Sequence, residues 1–358
     1  MLTYCTNIHP GESWEEISTN IWRHVPVIKA AVSPTAPFPI GLRLSARAAQ
    51  EITPRAAARF QDQCNKQSCF VPTINGFPYG SFSSGTVKVR AYLPDWRSRK
   101  RAEYTRDLAR LLQMWLPSSM TGSISSVPVG RRDHIKKEDL PYIRGNILVV
   151  LKELQRSAAQ GKKIVLALEP EPGCFLERAE DVASFIERLC LPSELRPYLG
   201  VCFDCCHSAV AFENPREAFS LLADAEIPVA KIHVSSAVRL TTNHSQGVRP
   251  FCEPRYCHQT YIKKGDEVVA FHDISEALAA GPASDQEWRI HYHLPIFDDG
   301  TSLYGTTNWF IKEVLACRPP GALLEIETYT YDILPAAIRA ADVASSICRE
   351  FQWLRSCL

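Results

Sequence analysis

The sequence predicts an α/β chain closed as one (β/α)₈ barrel, and three observations carry that expectation. Short apolar stretches recur, each ending in an acid or a histidine: 163–169 (K-I-V-L-A-L-E), 200–204 (G-V-C-F-D), 229–233 (V-A-K-I-H) and 322–327 (A-L-L-E-I-E). Segments with helical periodicity separate one stretch from the next, as buried parallel strands with crossover helices require. The alternation runs through all 358 residues without a break in composition, so 1–358 reads as a single domain.

In chain order, 2–8 reads as a first strand, followed by the loop His9-Pro10-Gly11-Glu12. Ser13 with Glu16 three residues on forms a capping box for a helix whose apolar positions, Ile17, Ile21, Val25, Ile28 and Val32, recur at helical spacing. A second strand at 39–44 leads into an Ala- and Arg-rich helix from near Ser45. The third, 70–74, runs into the turn-forming segment 75–80. A long helix follows Pro94 to about Trp115, then a Ser-rich strand at 121–127 and a helix at 140–159. Helices at 179–189 and 215–224 separate the fifth, sixth and seventh strands, and a helix over 335–351 closes the chain. Between His233 and the last strand the period breaks. The run 288–297 there makes nine candidate strands where a barrel needs eight, and 235–287 reads as an insertion or lid at the barrel mouth.

Bulk properties narrow the function classes. Forty basic against 39 acidic side chains leave a charge of +1, without the strong positive field that nucleic-acid binding uses. No apolar run approaches the roughly 20 residues of a transmembrane helix. With no secretory pattern at the start, the 13 scattered cysteines read as reduced and the protein as cytoplasmic. Nucleotide-loop and nucleophile-elbow motifs are missing.

The chemistry sits at the strand ends, where a barrel of this kind builds its active site. Glu169 closes an apolar run, a place where a carboxylate is costly unless paired or metal-bound. Glu171, past Pro170, reads as a mouth residue. Asp204 and His207 fall at strand six in F-D-C-C-H, where Asp204 alone would serve as a helix cap. His233 tops the next strand. Glu325 and Glu327 share one face of the last, Glu327 nearer the end and Glu325 one layer down as its partner or a buried salt bridge. Glu169, Asp204, His233 and Glu327 are thus the expected ligands of a divalent ion, with Glu169, Glu327 and His207 as catalytic groups. His9, Asn75, His258, and the pair His291 and His293 on one strand face are further candidates for metal or substrate. His24, His134, His244 and His272 read as surface residues.

The order Glu, Asp-x-x-His, His, Glu resembles the xylose-isomerase-like TIM-barrel superfamily, whose members include sugar isomerases, ketose 3-epimerases and endonuclease IV. Within it the chain is similar to the metabolite-traffic family EboE of bacterial ebo gene clusters. The carrying segments are Y-C-T-N-I-H-P-G-E-S-W, I-N-G-F-P-Y-G-S-F at 74–82, L-P-D-W, L-E-P-E-P-G-C, H-Y-H-L-P-I-F and E-T-Y-T-Y-D-I-L-P. The family pattern has a histidine at or near Ser83, where this chain departs from it. The resemblance implies the barrel fold, a bound Mn, Mg, Co or Zn ion, a small-molecule substrate and partners among the ebo-cluster proteins. The leading expectation is an isomerase or epimerase that moves a proton on a polyhydroxylated small molecule through an enediolate. The alternatives are a zinc-dependent phosphoester hydrolase, which the extra histidines favour, and a non-catalytic metabolite carrier.

Overall fold

Residues 1–81, 87–242, 244–283 and 285–358 are described by the computed structural model; Phe82 and Ser83 of the family pattern lie outside them. The strands begin with β1 (Leu2–Tyr4), β2 (Phe38–Arg43), β3 (Cys69–Asn75), β4 (Gly122–Ser126), β5 (Ile164–Leu168), β6 (Leu199–Asp204) and β7 (Val229–Val234). Five more follow: β8 (Ser236–Leu240), β9 (Thr260–Lys264), β10 (Glu267–Phe271), β11 (Glu287–Leu294) and β12 (Gly305–Thr306). The chain then returns to the wall with β13 (Leu323–Ile326). Eight parallel strands form that wall in the order β1-β13-β7-β6-β5-β4-β3-β2, a nearly closed barrel.

Side chains, rather than a full ladder, close the seam between β1 and β2. Thr3 Oγ1 donates to the Pro39 carbonyl at 2.7 Å and accepts from Gly41 N at 3.0 Å. Thr6 Oγ1 accepts from Arg43 N at 2.8 Å, beside a single parallel bridge between Cys5 and Gly41. The first strand is shorter than 2–8 because the chain tightens into a 3₁₀ turn over Thr6–Ile8. That turn brings Asn7 to the barrel mouth beside the end of β13.

The ninth strand of the sequence reading belongs elsewhere. β10-β9-β11-β8-β12 form a second, antiparallel sheet that reaches Thr306, beyond the 235–287 span. It has its own core around Trp288, Tyr292 and Phe251. His244 is buried there, not at the surface as expected: its Nε2 lies 3.0 Å from the Gln286 carbonyl and its ring lies against Trp288.

Helices cover the outside of the barrel. Trp14–Val32 carries the capping box of Ser13 and Glu16 and buries Ile17, Ile21, Val25, Ile28 and Val32. The closing helix is Val343–Ser356, starting later than 335 because Asp342 caps it by accepting from Ser345 N. Glu350 of that helix is fully buried, and its Oε1 accepts from Ile296 N at 3.2 Å and Thr328 Oγ1 at 2.6 Å. It ties the helix to the loop after β13 and to the chain leaving β11. Among the described residues no helix is long and apolar enough to cross a membrane, and all 13 cysteines are free.

Two predictions follow from packing and burial. At Gly41 an added Cβ would lie 2.0 Å from Glu325 Oε1 and 2.6 Å from the Tyr4 carbonyl. Gly41→Ala is expected to lower stability by roughly 1–3 kcal/mol or more, read by urea denaturation. Burial pushes the Glu350 carboxyl up to about 7. Between the unfolded value of about 4.3 and that point, only the folded chain keeps the proton, so stability falls as pH rises through the window. Glu350→Gln should remove this slope, matching wild type near pH 4 and exceeding it by roughly 3–4 kcal/mol well above pH 7.

Candidate metal centre

Parallel strands bring their last residues to one end of the barrel, and that register assembles two polar layers. In the upper layer Glu169, just past β5, keeps the ladder going by donating its N–H to the Ser126 carbonyl at 3.0 Å. Glu327, just past β13, does the same to Val234 at 3.1 Å. Asp204 and His233 pair across β6 and β7. Each of these four buried residues offers a ligand atom, and the four atoms all lie within 4.8 Å of one another. His233 Nδ1 is the common point, 3.0 Å from Glu169 Oε1, 3.2 Å from Glu327 Oε2 and 3.7 Å from Asp204 Oδ2.

The lower layer fixes the ring of His233. Its Nε2 lies 3.1 Å from Glu325 Oε2 and 3.2 Å from Asn75 Oδ1. Lys231, two residues before His233 and so on the same strand face, donates to Glu325 Oε2 at 2.7 Å and to Asn75 Oδ1 at 2.5 Å. Asn75 Nδ2 donates to Glu325 Oε1 at 2.7 Å. Burial resists ionisation of Glu325, but Lys231 and His233 outweigh it and bring its carboxyl down to about 2. An ionised Glu325 accepts the Nε2 proton, so Nδ1 faces the three upper carboxylates. Burial also opposes charge on His233, yet Cys202 beside it and the carboxylates of Glu327 and Glu169 raise its pKa well above the ordinary imidazole value. The pocket therefore favours positive charge, and its one imidazole and three carboxylates could hold a divalent ion. Asp204 agrees: Oδ1 accepts from Ser235 Oγ at 2.8 Å and His207 N at 2.9 Å, while Oδ2 is buried without a hydrogen-bond partner.

Above the layers lies a partly open pocket. Asn7, Glu169, Glu171, His207 and Glu327 line its base, and Phe77, Tyr92, Tyr256 and Tyr329 its walls. Asn7 Nδ2 donates to Glu327 Oε1 at 2.8 Å. Burial resists the charge of Glu327, but His233 and the neighbouring imidazoles hold its pKa well below the usual carboxylate range. Burial lifts the Glu171 carboxyl to about 7, against the pull of His207 and of Tyr92, whose hydroxyl donates at 2.5 Å.

The remaining candidates divide. His207, His291 and His293 reach the pocket. Neither nitrogen of His207 is free for a substrate hydroxyl: Nδ1 lies 2.9 Å from the Pro170 carbonyl and Nε2 3.1 Å from His291 Nε2. Asn75 stands in the lower layer, beneath the substrate space. His258 is not brought to the cluster, because its nitrogens are engaged by the His291 carbonyl at 3.0 Å and Glu253 at 2.8 Å. Nor is His9, which stacks on His24 at 4.3 Å with Tyr4 OH on its Nε2 at 3.0 Å. Sequence reasoning missed Lys231, Asn7 and Ser235. Lys231 carried a usable signal, a cation inside an apolar strand at period two from His233.

No protein-family model and no curated protein matches the sequence. The fold, by contrast, recurs among solved structures. A xylose isomerase-like TIM-barrel protein from Mycobacterium smegmatis in complex with magnesium is 10% identical over 99% of this chain and 95% of that one, with a TM-score of 0.54. D-psicose 3-epimerase from Clostridium cellulolyticum H10, solved with D-tagatose, is 13% identical over 99% and 96%, with a TM-score of 0.52. The IolI protein with a bound zinc atom is 10% identical over 99% and 96%, with a TM-score of 0.51. The fold is that of the xylose-isomerase-like TIM barrels.

Removing one partner of the lower layer tests its role. Lys231→Met leaves Glu325 as a buried anion with only His233 and the Asn75 amide beside it. The variant is expected to lose about 3–5 kcal/mol in chemical denaturation.

Proposed function

We propose that the chain is a divalent-metal-dependent isomerase or epimerase acting on a polyhydroxylated small molecule. The observation that carries this reading is the convergence of ligand atoms of Glu169, Asp204, His233 and Glu327 within 4.8 Å of one another at the base of that pocket. One imidazole among three carboxylates suits Mn, Mg or Co ahead of Zn. When bound, such an ion polarises substrate oxygens and makes the adjacent C–H bond more acidic. Magnesium and zinc in structures of the same fold, and a ketose 3-epimerase among them, support the reading.

The chain's own residues supply the remaining functions. Glu327, held ionised by His233 and steadied by Asn7, is a proton acceptor at the pocket base. Glu169 reaches the same space from β5, so the two carboxylates can take a proton from one face of a carbon and return it to the other. A positioned carboxylate of this kind contributes about 10²–10⁴-fold. Asp204, pinned through Ser235 and the His207 N–H, acts as a fixed ligand rather than a base. The aromatic walls pack on the C–H faces of a polyol and exclude water. The loop before β9 carries Tyr256, and β11 carries His291 and His293, over the mouth as a lid. From the resemblance to the EboE family we further take the substrate to be a precursor in secondary-metabolite handling, with ebo-cluster proteins as partners.

Glu169→Gln is expected to keep the fold while slowing exchange of substrate C–H with deuterated water by about 10²–10⁴-fold, followed by NMR on a ketose panel. Exchange at the wild-type rate would remove Glu169 from the proton-transfer role.

A further inference from the structure

Polar atoms buried without a hydrogen-bond partner are rare in folded chains, so those that line a pocket report what its ligand must supply. Among the described residues three such atoms belong to the pocket lining: Asn7 Oδ1, Glu171 Oε2 and His293 Nε2. All three are acceptors. Asn7 Nδ2 is committed to the Glu327 carboxylate at 2.8 Å, which fixes the amide and leaves its oxygen open. His293 Nδ1 lies 2.8 Å from the Glu327 carbonyl, which can only accept. The neutral ring therefore carries its proton on Nδ1 and a lone pair on Nε2. Glu171 receives the Tyr92 hydroxyl on Oε1 at 2.5 Å, while Oε2 receives nothing.

The charge of the lining points the same way. Lys88 is the only lysine or arginine among the described lining residues, and its Nζ is held by Asp273 at 3.0 Å. Glu169, Glu171 and Glu327 line the base, with Asp204 beside them in the four-ligand cluster. A phosphate or carboxylate on the substrate would meet no free cation here. A hydroxyl supplies one donor but brings two lone pairs into a space whose open atoms are already lone pairs. An alkylammonium brings three donors and no acceptor. Its charge also offsets that of a buried Glu171 carboxylate, which is costly without a positive neighbour. The aromatic faces of Phe77, Tyr92, Tyr256 and Tyr329 attract the same cation.

We propose that the substrate carries a primary ammonium group, as an amino sugar or amino polyol does, received by Glu171 with Asn7 and His293 as further acceptors. The inference rests on the proposed function, whose polyhydroxylated substrate it narrows to an aminated one. Glu171 then sets specificity at a point separate from the four-ligand cluster.

The test is calorimetric titration of the full-length protein after dialysis against manganese(II). The probes are D-glucose, D-glucosamine and N-acetyl-D-glucosamine, and D-fructose with 1-amino-1-deoxy-D-fructose. At least one aminated sugar is expected to bind roughly tenfold or more tightly than its neutral counterparts. Glu171→Gln, with its fold confirmed by circular dichroism, should retain the wild-type manganese content and lose that preference. The inference is overturned if no aminated sugar outbinds its neutral counterparts, or if the preference persists undiminished in Glu171→Gln. A wild-type protein that retains no manganese yet keeps the preference overturns the four-ligand reading and leaves the ammonium site standing.

Discussion

The mouth of this barrel depends on the orientation of one buried ring. His233 has carboxylates above and below it, and the proton on Nε2 decides which layer receives a donor and which a lone pair. Glu325 can hold that proton only while Lys231 keeps it ionised, at 2.7 Å in a place without water-exposed surface. The lower layer is thus a fixed electrostatic foundation. What stands on it is a pocket with more negative charge than one imidazole can neutralise.

This arrangement explains several choices in the wall. Gly41 is a glycine because Glu325 occupies the space a side chain would need. Asn75 closes β3 with an amide that offers Nδ2 to Glu325 while its oxygen accepts from Lys231 and from Ser125 Oγ at 2.9 Å. The short first strand and its 3₁₀ turn place Asn7 on Glu327, which follows the neighbouring strand β13. Residues distant in the chain become neighbours because parallel strands end in register.

Much of this was legible in the sequence, for identifiable reasons. Fully buried strands such as I-V-L-A-L at β5 leave only their last residue for polar work, so Glu169 stood out. The period-two rule put Glu325 below Glu327. The same rule, applied to Lys231 and His233, would have revealed the lower layer, but a lysine in an apolar strand was passed over. The second sheet was harder to read. Its strands pair antiparallel across loops of very different length, and a single run, 288–297, gave no sign of its four partners. Asp342 as a helix cap was visible in principle but was masked by the apolar spacing that precedes it.

The side-chain seam between β1 and β2 has a consequence of its own. Seven junctions of the wall are held by backbone ladders, while the eighth relies on two threonine hydroxyls and one bridge. A hydroxyl is more easily surrendered to water than a ladder, so thermal breathing of the cylinder should begin at this joint. Because β1 stays laddered to β13, opening there parts β2 from its neighbour while Asn7 keeps its hold on Glu327, so the cleft slackens on one flank well before the chain as a whole unravels.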